Sequence, residues 1–166
     1  LPSWKFLCPV VVLLPLLFGC RADPNAFNPI ASEKRLPANF HEMAFSRPSP
    51  PHFQYVVKQA ADQSEYEEAW SLYGLQGKRP NVDFDGKIVY FIGVYESGSC
   101  PYTLKKVELS SDRKTLTVPL SEPKGACTTD ATPRTFVIGL DKETANEIEN
   151  VVMVRSGVET KLPLNP

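Results

Sequence analysis

Ser97 and Ser99 precede Lys105 and Lys106 by a few residues, the side-chain types that a serine–lysine hydrolase would pair. No G-x-S-x-G elbow surrounds either serine, so the stretch reads as a polar loop ahead of a strand. In "NVDFDGKIVYFI", Asn81, Asp83 and Asp85 occupy positions 1, 3 and 5 of a calcium loop, with Gly86 at position 6. Position 12 is Ile92 rather than a bidentate glutamate, so the segment reads instead as an Asp-Gly turn feeding a strand. The two histidines, His41 and His52, lie in a proline-rich stretch or at its end. Histidine-based nucleophilic schemes and histidine-rich zinc sites therefore have no imidazole within the expected core domain. The sequence presents no catalytic set, no metal set and no cofactor site. A small hydrolase built on Asp and Glu carboxylates is the least supported alternative.

The four cysteines carry more information. Residues 7–18 form an apolar run behind a single basic residue, Lys5, the layout of an export signal. The run falls short of the roughly 18 apolar residues that a spanning helix needs. Pro9 and Pro15 weaken it further. It ends in "LFGC", and Leu17, Phe18, Gly19 and Cys20 resemble a bacterial lipobox, in which the chain is cut before a cysteine that receives diacylglycerol. Two acyl chains suffice for stable anchoring where one is marginal. The expectation is a signal peptide over 1–19 and lipid on Cys20, placing the mature protein on the extracytoplasmic face of a bacterial membrane.

Cys8 leaves with such a signal, so Cys100 and Cys127 remain in an oxidising compartment, where they should pair. Their separation is far from C-x-x-C, which argues for a structural bond rather than redox catalysis. On the chain-entropy picture, closing a loop of about 28 residues contributes roughly 3–4 kcal/mol.

Eighteen Lys and Arg against nineteen Asp and Glu give a net charge of −1, and no basic stripe marks a nucleic-acid partner. Between residues 21 and 51, Pro24, Pro29, Pro37, Pro48, Pro50 and Pro51 interrupt every short apolar group. Residues 20–51 are therefore expected to form an extended, semi-rigid tether. The alternative is that part of it, such as "FHEMAF", packs on the domain. Residues 52–166 have the size of one ordinary domain.

Within that domain, "FQYVVK" reads as a strand with Phe53, Tyr55 and Val57 on one side. A helix follows, with Ser64 and Glu67 as a capping box, Tyr66, Ala69, Trp70 and Tyr73 as its core stripe, and Gly74 closing it. "KIVYFIGVY" is apolar on both faces and reads as a central strand. "TLKKVEL" and "TLTVPL" flank a turn and form a hairpin. Its parity shift, with Tyr102 and Leu104 on one register and Val107 and Leu109 on the other, predicts a bulge near Lys105 and Lys106. "TFVIGL" and "VVMV" supply two more strands, separated by a turn or short helix over 141–149.

The hairpin brings Cys100 and Cys127 to neighbouring ends. Their bond would clamp "ESGSCPY" beside "GACTTDATPR", and loops fixed to a rigid scaffold make recognition surfaces. Ser97, Gly98, Ser99, Pro101, Tyr102 and Arg134 form the expected partner surface, with the tyrosine and arginine as its anchors.

A "VDF" element before an apolar central strand, a Gly/Ser turn, a hairpin and a final strand pair resemble the C-terminal domain of PrcB, a lipoprotein subunit of a bacterial protease complex. Val82, Asp83, Phe84, Gly98 and Tyr102 are the matching landmarks, over 53–154. The resemblance implies a domain without a catalytic centre that assists or binds a partner protein. Cys100 and Pro101 stand where that family's turn is often glycine-rich, so no site residue is carried over. The combined expectation is an α+β domain, predominantly antiparallel β-sheet with one N-terminal helix and a disulfide. It would act as a non-enzymatic accessory or binding subunit for an exported protein, a protease among the candidates. Protease inhibition by the clamped loops is the main alternative.

Overall fold

The computed structural model describes residues 27–46 and 53–164. Two β-sheets pack face to face, and helices cover the outer face of the first. That sheet is antiparallel, in the order β1 (Asn28–Glu33), β7 (Thr132–Asp141), β3 (Lys87–Glu96), β2 (Tyr55–Ala60). The second sheet runs β4 (Thr103–Leu104), β6 (Thr115–Ser121), β8 (Asn150–Arg155), β9 (Val158–Pro163), with β5 (Glu108–Leu109) also on β6. Its β6–β8 pair is parallel, the one departure from antiparallel pairing among the described strands. Among the described residues three helices accompany the sheets: α1 (Phe40–Phe45), α2 (Gln63–Leu72) and α3 (Lys142–Ala145).

The central position of β3 follows from its two apolar faces. Ile88, Tyr90, Ile92 and Val94 point between the sheets and meet Leu116, Val118, Val151 and Met153. Val89 and Phe91 point the other way, against Phe40, Tyr66, Trp70 and Tyr73. Trp70 is a core residue, 6% exposed. The Tyr73 hydroxyl reaches the carbonyls of Val56 at 3.0 Å and Phe91 at 3.2 Å, and burial pushes its pKa up.

The hairpin bulge is present. Thr103 and Leu104 face Ser121 and Leu120, whereas Glu108 and Leu109 face Thr117 and Leu116, a register one residue out of step. Two expectations are corrected. First, the helix cap lies two residues upstream of the Ser64/Glu67 pair. The Asp62 carboxylate accepts from the Glu65 N–H at 2.8 Å, and Glu65 in turn accepts from the Ala61 N–H at 2.7 Å. Glu67 is drawn away by the Arg79 guanidinium at 2.8 Å. At the other end, Gly74 adopts φ +63° and Leu75 N–H donates to the Trp70 carbonyl at 3.2 Å, a Schellman closure.

Second, the described part of the expected tether is folded, and α2 is not the first helix. β1 lines β7 despite Pro29, which sits on an edge strand where a missing N–H is tolerated; the register shifts between Pro29 and Ala31. α1 fits between Pro37 and Pro48. Its N-cap residue Asn39 makes no side-chain cap bond, so what holds α1 is burial of Phe40 and Ala44, one turn apart on a single face. The expected signal over 1–19 and Cys20 lie outside the described residues.

Candidate functional site

The disulfide between Cys100 and Cys127 is formed, with Cα atoms 5.6 Å apart, and it joins the loop after β3 to the loop before β7. Cys100 is buried and Cys127 exposed. A second set of bonds runs parallel to the covalent one. The Asp130 carboxylate accepts from the Gly98 N–H at 3.1 and 3.2 Å, from Thr132 Oγ1 at 2.8 Å, and from Thr128 Oγ1. Thr128 N–H donates to Ser99 Oγ at 2.9 Å, and the Ser97 and Thr128 hydroxyls meet at 3.0 Å. Glycine at 98 is what permits this approach, because a Cβ there would stand 2.5 Å from Asp130 Oδ2.

These donors hold the Asp130 carboxyl below the usual range, with the Thr128 hydroxyl the largest cause and then Thr132 and the Gly98 amide. A carboxyl whose pKa falls on folding adds stability above its unfolded value, and that stability is lost as pH drops through the lower folded value. The Gly98 amide should therefore keep its native chemical shift down through the ordinary Asp range near about 4 and change only in stronger acid. Asp130→Asn should remove that transition. A Gly98 shift that titrates at the ordinary Asp value would contradict the lattice.

Two of the expected surface anchors point inward, which corrects their assignment. Tyr102 is 4% exposed and its N–H donates to Glu96 Oε2 at 2.8 Å. Arg134 Nε donates to the other oxygen of the buried Glu96 at 2.8 Å, and Arg134 Nη1 donates to Ser32 Oγ at 3.3 Å. The β3–β7 register explains the meeting: Val94 faces Arg134 and Glu96 faces Thr132, so Glu96 and Arg134 are diagonal neighbours on one face. The surface of the clamp belongs instead to Gly98, Ser99, Pro101, Thr128, Thr129 and Asp130, all exposed, with Ser97 half-buried.

Beside the clamp two adjoining cavities, about 490 and 500 Å³, share Tyr95, Ala131 and Arg155. Arg155 lines both of them. Its guanidinium lies 4.4 Å over the Phe53 ring and 5.2 Å over the Tyr102 ring, while Nε donates to Glu122 at 3.2 Å. On the far side His41 stacks on Tyr95 at 5.5 Å and its Nδ1 lies 2.6 Å from Gln54 Oε1. Burial, opposed by Arg155, pushes the Tyr55 pKa up to about 12, so that phenol stays protonated at neutral pH.

The other chemistry-bearing residues are dispersed. The Ser97 and Ser99 hydroxyls bond with each other and with Thr128, while Lys106 pairs with Glu108. Asp83 accepts from the Asp85 N–H at 3.1 Å in the turn that opens β3. Among the described residues no group of three His, Cys, Asp or Glu side chains could hold a metal, and no helix is long and apolar enough to cross a membrane.

Residue-by-residue reasoning missed Glu96, Asp130 and Arg155. Glu96 left a signal, since a carboxylate ending a strand buried on both faces must have a partner. Arg155 left none, because its stacking partners Phe53 and Tyr102 are distant in sequence. Comparison with protein-family models, curated proteins and solved structures finds no match to this chain.

Proposed function

We propose that the chain is a lipid-anchored extracytoplasmic binding or accessory domain whose clamped end engages an exported protein, a protease among the candidates. The observation that carries this reading is the preorganised rim: two exposed polar loops locked by a disulfide and by the Asp130 lattice, beside an aromatic cleft. Loops already held in one conformation lose little entropy on association. Two of the three carboxylates that line the cavity, Glu96 and Asp130, are already committed to the fold, and the third, Glu122, accepts from Arg155. Glu96 is occupied by Arg134 and the Tyr102 N–H, and Asp130 is held ionised, which suits neither for general-acid work. The same rigidity supports inhibition of a protease by the loops as a second reading, and titration of the purified protein against a protease panel distinguishes it from passive assembly.

Thr129 and Pro101 are exposed on the rim and outside the lattice. Thr129→Arg and Pro101→Arg should each weaken partner capture by more than about 1 kcal/mol while leaving the melting temperature unchanged. Full retention of binding in both variants would place recognition elsewhere.

A further inference from the structure

The chain enters and leaves the described domain at one end, and the clamp lies at the other. β1 enters at Asn28, which faces Gly139, two residues before β7 ends. β7 then passes through α3 to β8, whose first residue Asn150 faces Pro163, the last residue of β9. At this end each sheet's ladder runs on by one bond: Lys142 N–H donates to the Gly86 carbonyl at 2.9 Å beyond the β3–β7 pair, and Leu164 N–H donates to the Glu149 carbonyl at 2.9 Å beyond the β8–β9 pair. The opposite end holds Glu96, the disulfide, Ser121 and Arg155. β3 connects the two ends with ten residues, a span of about 30 Å.

We infer that the clamped loops are the membrane-distal tip of the anchored protein, so that their partner is a soluble exported protein or the projecting ectodomain of a membrane protein, not the bilayer itself. The inference rests on the proposed lipid on Cys20. Only residues 21–26 separate that cysteine from Phe27, a reach of roughly 25 Å at full extension. An anchor that short keeps the Asn28 end near the headgroups and turns the clamp outward.

The surfaces agree with this polarity. At the anchored end three basic side chains have partners within the protein: Lys87 with Asp141, Lys114 with Glu149, and Lys142 with the Phe84 carbonyl. Each of these cations is offset by an acceptor of the protein, which lowers the pull of that end toward anionic lipid. The distal rim, with Glu122, Lys124, Thr128, Thr129 and Asp130 exposed, is polar and of mixed charge, and its exposed apolar residues Pro101, Ala126 and Ala131 are small.

The test uses the full chain, processed by its own cells, in liposomes containing headgroup-nitroxide lipid. A fluorophore is placed through Glu143→Cys on α3 or Lys124→Cys in the loop before the clamp. Quenching should be several-fold stronger at 143 than at 124. Equal quenching, or stronger quenching at 124, overturns the polarity. Liposome flotation of Cys20→Ser is read in parallel: flotation equal to the unsubstituted protein would overturn the anchor itself, a failure distinct from a reversed quenching pattern in protein that floats.

Discussion

Replacing Arg134 with alanine will destabilise the domain by about 3–5 kcal/mol, because it strips the charge partner from a carboxylate that is almost wholly enclosed. The Glu96 side chain is 1% exposed and Arg134 15%, so solvent screens the pair little. Glu96 also accepts the Tyr102 N–H, so the same change unsettles the first residue after the Cys100–Pro101 turn. Chemical denaturation should show the loss. Glu96→Gln in the Arg134→Ala background should recover part of it, since a neutral amide is less costly to bury unpaired. An Arg134→Ala protein within about 1 kcal/mol of the unsubstituted one would show that the pair does not hold the clamp's base. As a surface anchor Arg134 would be expendable to the fold; its ion pair with the buried Glu96 makes it part of the base of the clamp.

Phe40→Ala is expected to cost about 3–5 kcal/mol, the range for emptying a large aromatic site. Phe40 is 2% exposed and meets the Tyr95 ring edge-on at 5.1 Å. It also lies over Gly93, where an added Cβ would come within 3.3 Å of its ring and 2.8 Å of Leu36. β3 therefore carries a glycine where α1 and its approach press on the sheet. A chain beginning at residue 52 would lack both β1 and α1 and leave Phe91 and Val137 partly uncovered. It should fail to give a cooperative melt. A sharp native-like melt for that shortened chain, with Phe40→Ala unaffected, would return 27–46 to the status of a tether.

The elements legible in the sequence were those whose apolar pattern is dense. β3 is apolar on both faces and α2 repeats its core residues at helical spacing, so each declares its place without neighbours. The bulge was legible because a change of strand parity has few other causes. β1 and β9 were not. "NPIASE" holds a proline and one large aliphatic residue, and "VETKLP" alternates charge with modest apolar groups; both are edge strands whose pairing is supplied by neighbours rather than by their own sequences. That "FHEMAF" packs on the domain is legible only as an alternative, and its helix not at all, since prolines on both sides hide a helix of six residues.

At the candidate site the disulfide was legible from the expectation of export and from the spacing of Cys100 and Cys127. The inward turn of Tyr102 and Arg134 was not, because it depends on a β3–β7 register that no local pattern specifies.

The most direct test of the proposed clamped end as the partner surface is site-specific photocrosslinking of the full chain in the cells that make it. Photoreactive residues at Thr129 and Pro101 on the rim would be compared with positions at Glu143 and Glu149 near the opposite end. The expected result is a discrete adduct with an exported protein from the rim positions and none from 143 or 149. Adducts confined to 143 and 149, or no adduct from either rim position in protein that is folded and disulfide-bonded, would contradict it.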